Sequence, residues 1–262
     1  MKPALSSLRW AIVPWLVPVA LLIAWEAAVD AGLLSTRILP APSTVLVAGY
    51  HLSLTGELFT HIGVSFARAG TGFAIGGAIG FALGLLNGVF PFSSRLLDSL
   101  LQMVRNVPHL ALIPLVILWF GIDEAAKLFL VALGVFFPIY LNTYHGVRTV
   151  DAGLKEMGLV YGLGGIGFFR EVILPGALPS VLVGVRYALG ITWLTLIVAE
   201  TVSASSGIGY MTMNAREFLQ TDVVVLGILI YAILGKLADT STRLLERRWL
   251  AWHPAFQQPE AV

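Results

Sequence analysis

Apolar residues run along this chain in long blocks, interrupted at intervals by short polar or glycine-rich stretches. A helix needs about 20 apolar residues to cross a hydrocarbon core. Windows of that length lie at roughly 11 to 30, 70 to 90, 100 to 120, 125 to 145, 178 to 201 and 223 to 245, and predict an all-α, polytopic membrane protein of about six transmembrane helices. The third window is the most broken. Arg105, Asn106, Pro108, His109 and Pro114 interrupt it, which predicts a kinked or partly irregular helix. The first follows a basic start like that of a signal peptide, but its apolar run continues to about Trp25 with no small-residue cleavage site after it, so it reads as a retained span.

The polar intervals assign sides. With the amino terminus inside, one face collects Lys2, Arg9, Arg95, Arg148, Lys155, Arg170, Arg243, Arg247 and Arg248, and the other mainly Arg37, Lys127 and Arg216. Positive charge concentrates on the cytoplasmic face, so both termini and the stretch 146 to 177 are expected there. Segment 31 to 58 is then an external connector in which LPAPST marks a turn and Ser43 or Thr44 a helix start, followed by a short interfacial helix. Segment 204 to 222, opened by Ser206, Gly207 and Gly209, is a second external loop. With no internal repeat, residues 1–262 read as a single domain.

Within the second window Gly72, Gly76, Gly80, Gly84 and Gly88 recur every fourth residue. Residues four apart share a helix face, so these predict a side-chain-free groove where another helix backbone approaches closely. A helix of the same chain, a subunit interface and a moving contact all fit that groove.

Composition narrows the classes. Hydrophobic residues make up 57% of the chain and charged ones 12%, with mean hydropathy +0.86; soluble domains carry about twice that charged share. A net charge of +1 provides no basic stripe for a phosphate backbone, so no nucleic-acid partner is expected. The absence of cysteine removes disulfides, thiolate catalysis and Cys-based metal sites. The histidines His51, His61, His109, His145 and His253 show no zinc-binding spacing, and no G-x-S-x-G occurs, so no catalytic or metal residues are assigned and an enzyme is not expected. Gly235-Lys236-Leu237 lacks the earlier glycine and the following Ser or Thr of a phosphate loop, so ATP would have to be held by another polypeptide.

Ionisable residues at membrane depth are the remaining candidates, because a charge there faces a partner or a cavity. Arg186 lies well inside the fifth window and Glu200 near its outer end; at 1.5 Å per residue they are roughly 20 Å apart and cannot pair. For Arg186 an ion pair or carbonyl contact, an anionic substrate and snorkelling stay open. Glu200 reads as an interfacial residue. Asn106 and His109 join these two as pathway candidates, and Glu26, Arg68, Asn142 and His145 read as packing or capping groups.

Between Arg148 and Pro175 the chain is too polar to span. Leu154, Met157, Val160 and Tyr161 fall at helical spacing, Asp151 is placed to cap their helix, Glu156 lies near its start, and Gly162, Gly164 and Gly165 end it. A second short helix over about 166 to 172 leads to Leu174-Pro175, where a proline suits a helix start. The product is a helix-turn-helix shelf, either a docking site for another protein or a plain connector or lipid-facing helix.

At these residues the sequence resembles the integral-membrane subunits of bacterial ABC importers. Their EAA loop reads E-A-A, three residues, G, nine residues, I, one residue, L-P. Glu156, Gly162, Leu174 and Pro175 match, while Met157, Gly158 and Val172 depart. The longer stretches around RNVPHLALIPL, GALPSVLVGVRYALGITW and SGIGYMTMNAREFLQTD resemble the branch that imports sulfonates, nitrate and taurine, and STRILPAPS and REFLQTD most resemble its aliphatic-sulfonate members.

That resemblance implies the type I (MetI-like) permease fold in a bacterial cytoplasmic membrane. It implies a coupling loop at 151 to 175 in which Lys155, Glu156, Met157, Tyr161, Gly162, Leu174 and Pro175 engage the ATPase. The implied partners are a second copy, cytoplasmic ATP-binding subunits, an extracytoplasmic solute-binding protein and membrane lipid. The implied cargo is an aliphatic sulfonate, with nitrate, taurine, bicarbonate or another small solute as the alternative. An ion-gradient-driven transporter is the remote alternative, and would need symmetric broken helices and a midplane acid.

Overall fold

The computed structural model describes residues 4–252, with backbone alone for 4–12, 14 and 15. Lys2, His253 and both chain ends lie outside the described residues, as does the side chain of Arg9. The helices are α1 (Ala4–Asp30), α2 (Pro42–Leu54), α3 (Glu57–Val89), α4 (Pro91–Arg105), α5 (Ile113–Phe120), α6 (Glu124–Arg148), α7 (Ala152–Val160), α8 (Gly165–Phe168), α9 (Leu174–Ser203), α10 (Ile208–Glu217) and α11 (Thr221–Trp249). A 3₁₀ turn, His109–Leu112, precedes α5, and a π turn, Phe169–Ile173, joins α8 to α9. No strand occurs among the described residues.

Among the described residues four helices are long and apolar enough to cross a membrane: α3, α6, α11, and the continuous run Gly165–Ser203. A fifth apolar stretch, α4 with His109–Phe120, bends by 78° where Pro108 and the 3₁₀ turn interrupt the ladder. It starts beside Tyr144, to whose hydroxyl Ser94 Oγ lies at 3.0 Å, and finishes where Val116 packs with Ala126 and Ala199. Those contacts are at opposite ends of α6, so the broken stretch still joins the two ends of the bundle. The 27 residues of α1 rise about 40 Å, enough for a sixth crossing.

The glycine face of α3 is filled by α6 of the same chain. Gly72 faces Val131, Gly76 the Ala132 carbonyl, Gly80 the Phe136 carbonyl, Gly84 the Tyr140 carbonyl and Gly88 Val147, so the two helices run parallel with backbones nearly touching. A methyl at Gly80 or Gly84 would stand 2.6 Å from the facing carbonyl oxygen. α9 lies antiparallel to α6, with Gly134 against Ile191 and Thr195, Gly184 against Pro138 and Asn142, and Gly146 against Ala177 and Ser180. Ala69, Val131, Val135, Ile139, Ala188, Trp193 and Leu196 make the central core of these three helices. The bundle thus has a shelf end, carrying α7 and α8, and a loop end, carrying α2 and α10.

Three elements differ from the sequence expectation. α2 begins at Pro42, a residue or two earlier than Ser43 or Thr44, because its cap comes from α1: Ser43 N–H and Oγ donate to Glu26 at 3.0 and 2.5 Å. Segment 204 to 222 is mostly the helix α10, whose Ile208, Met211 and Ala215 are buried. The helix expected at 166 to 172 is not separate. Pro175 has no N–H to give, and the chain widens into a π turn there, so helical backbone runs from Gly165 through Ser203.

Candidate coupling shelf and buried charge clusters

Both ends of the nine-residue α7 are closed. Asp151 Oδ1 accepts the Leu154 N–H at 3.0 Å, satisfying one of the helix's unpaired donors. Gly162 takes φ +77°. Leu163 N–H then reaches the Gly158 carbonyl and Gly162 N–H the Leu159 carbonyl, both at 3.0 Å, the paired closure that a left-handed residue makes available. The only buried residue of α7 is Gly158, where a methyl would lie 2.9 Å from Val172 Cγ2 and 3.2 Å from the Phe168 ring. Beneath it Val147, Val150, Ile173 and Ala177 form a buried cluster with Phe168 and Phe169 against it. The shelf is therefore a short helix welded to its neighbours through a side-chain-free spot.

Its outer side is uncovered apolar surface. Met157, Leu159, Val160, Tyr161 and Ile166 are half exposed or more, and Glu156 and Gly162 are exposed beside them. Leu174 and Pro175 are half-buried under the shelf as the first turn of α9. Lys155 does not share the outer face. It is half-buried and lines a cleft of about 360 Å³ with Arg148, between α8 and the end of α3.

At the loop end a second cluster joins five elements. Arg68 of α3 donates from Nε and Nη2 to the two oxygens of Glu124, both at 2.6 Å, and from Nη1 to Glu200 at 2.8 Å and to the Ser206 carbonyl at 2.5 Å. Glu200 also accepts from Ser65 Oγ at 2.8 Å, Gly209 N–H at 2.9 Å and Tyr231 OH at 3.2 Å. Ser65 Oγ in turn accepts the Ile208 N–H at 2.8 Å, and His61 Nδ1 accepts that of Gly207 at 3.1 Å. The unpaired first turn of α10 is thus capped by side chains of α3 and α9. Lys127 donates to the Ile122 carbonyl at 3.1 Å and to Glu124 at 3.4 Å. Every guanidinium nitrogen of Arg68 is used and the four charges balance, so the cluster offers no spare cation to an anion.

The family model described as the binding-protein-dependent transport system inner membrane component matches residues 76–251. This chain belongs to that family. A permease protein named for aliphatic sulfonates transport in Escherichia coli (strain K12) is 62% identical over 96% of this chain and 95% of its own length. One with the same name in Bacillus subtilis (strain 168) is 46% identical over 98% of this chain and 92% of its own. A taurine transport system permease protein of E. coli (strain K12) is 35% identical over 90% of this chain and 88% of its own. As an inner membrane component, the chain lies in a membrane through its apolar helices.

The four pathway candidates of this inner membrane component do not converge. Arg186 donates to the buried Glu246 at 2.7 Å and lies 3.4 Å from Asp239, pinning α9 to α11. His109 Nε2 and Thr195 Oγ1 are 2.9 Å apart, which ties the break before α5 to α9. Asn106 is exposed where α4 ends. The Glu200 side chain, near the outer end of α9, is fully buried, because Arg68 and the α10 amides come to it. The sequence signal for this was local. Gly207, at φ +112°, and Gly209 leave no room for a Cβ against the Glu200 side chain, so two glycines just after a glutamate marked a backbone folding back on it.

Proposed function

We propose that this chain is the membrane-spanning subunit of an ABC importer for aliphatic sulfonates. It works as a pair of copies in the cytoplasmic membrane of a bacterium, forming one permease domain over residues 1–262. Each copy presents the 151 to 175 shelf to a cytoplasmic ATP-binding subunit, and the loop end receives an extracytoplasmic solute-binding protein. Both termini are assigned to the cytoplasm by the distribution of Lys and Arg. The chain itself holds no nucleotide, since Gly235-Lys236-Leu237 is no phosphate loop.

The observation that carries the coupling role is the construction of α7. A segment that transmits a partner's motion must keep its shape while its surroundings change, and must present contacts that differ between the partner's states. Caps at Asp151 and Gly162 and the seat at Gly158 fix the shape. Glu156, Met157, Tyr161 and Gly162 supply the outward contacts. The cargo reading is supported by the two relatives named for sulfonate transport, 62% and 46% identical.

Growth of a strain lacking this chain, with alkanesulfonates as sole sulfur source, tests the cargo. Restoration by the chain on alkanesulfonates is the expected outcome; restoration on taurine alone would replace the assigned cargo. Cross-linking from a cysteine placed at Tyr161 is expected to capture an ATP-hydrolysing subunit. Capture of a solute-binding protein in its place would invert the orientation.

A further inference from the structure

We propose that an anionic phospholipid occupies the side of the shelf facing the bundle, with its headgroup at Arg148 and Lys155 and an acyl chain in the groove beside α3. Two adjoining hollows form this site. The first, about 360 Å³, is lined by Arg148 and Lys155 together with apolar residues that include Val147 and Phe168. The second, about 580 Å³, is apolar and lined by Ala82, Leu85, Leu86, Phe90 and Ile166. Val89, Gly165 and Phe169 border both, so the two are continuous.

Depth and charge choose the occupant. Arg148 is the last residue of α6 and Val89 the last of α3, so the cationic hollow lies where the spans leave the bilayer. The apolar part runs back along α3 to Ala82, about 10 Å deeper. Cations at the membrane surface above an apolar track match a negatively charged headgroup and its chain. Arg148 is held in place: its Nη1 donates to Tyr144 OH at 2.7 Å, and the guanidinium lies 5.5 Å from that ring's centre.

Neither cation has a carboxylate within ion-pair distance among the described residues. The acids nearest in sequence are Asp151, which is engaged at the α7 cap, and Glu156, which is exposed on the outer side of α7. α4 begins at Pro91 in the same cleft without a side-chain cap, adding the positive end of its dipole. Lys155 is thereby a lipid ligand that holds the inner side of α7, rather than a contact for the ATPase.

The test is native mass spectrometry of the full-length chain, purified from membranes with the subunits that accompany it. Phosphatidylglycerol is offered against phosphatidylcholine of the same chains. Retention of phosphatidylglycerol is expected to exceed that of phosphatidylcholine. It should fall about thirtyfold in Arg148→Gln/Lys155→Gln, the effect of two surface cations. Lys155→Arg should retain it. Leu86→Trp, which fills the groove and leaves both cations, should lose it, and equal melting temperatures would show that the variants remain folded. Equal retention by the double glutamine variant overturns the site. So does displacement by inorganic phosphate, which would make it a bare anion pocket, or cross-linking of position 155 to another subunit in native membranes. These readouts ignore both cargo and ATP, so a failed sulfonate-growth test leaves them standing.

Discussion

A carboxylate buried among helices is stable only while its partners stay, and Glu200 carries more of them than any other side chain at the loop end. Glu200→Leu leaves the buried Arg68 short of a counter-charge and takes away the acceptor of the Gly209 N–H in the first turn of α10. A loss of about 3–5 kcal/mol is expected, read as a large drop in melting temperature in detergent. Combining it with Arg68→Met should recover much of that loss, since Glu124 still has Lys127 at 3.4 Å. At the shelf, Gly162→Ala places a side chain at φ +77° and should cost about 1 kcal/mol, with Gly162→Asn milder than Gly162→Ala. Paired melting curves would check that order. Single residues were the least legible scale in the sequence. Arg68 and Glu200 are 132 positions apart, and only the three-dimensional meeting of α3 with α9 reveals the pair.

At the scale of elements, the contact between α3 and α6 decides whether the chain assembles. Gly80→Leu drives a side chain into the Phe136 carbonyl, and loss of the monodisperse folded species in size-exclusion chromatography is expected. Gly70→Leu, on the same helix with no atom within 4 Å, should behave as wild type. The four-residue glycine rhythm made that groove readable in advance, because period and residue size are written in the sequence; which helix fills it is not. α7 was legible for the same reason, through Asp151, the apolar spacing and Gly162. α10 and the junction of α8 with α9 were not. The caps of α10 come from distant side chains, and the join at Phe169–Ile173 depends on a π turn absorbing Pro175.

For the whole molecule, the prediction is separation of two activities. Glu156→Lys alters charge on the exposed face of α7 without touching its caps or its seat at Gly158. Membrane insertion should be normal and ATP hydrolysis by the assembled transporter should persist, while sulfonate uptake falls at least about tenfold, a cost of about 1.4 kcal/mol in coupling. Uptake and phosphate release measured on the same vesicles would check it. Broad organisation was the most legible scale: hydropathy led to an all-helical polytopic chain, since a bilayer imposes element length, and the longer resemblance led to the family.

The unbroken helical backbone from Gly165 to Ser203 has a mechanical corollary. Its 39 residues reach about 58 Å, starting beneath α7 and ending a turn beyond Glu200. A tilt imposed on the shelf tip of this helix swings the far tip the opposite way, and there it carries α10 along by its amide clasp on Glu200. One continuous helix would thereby pass a push on the shelf to the loop end without any relay of side chains between.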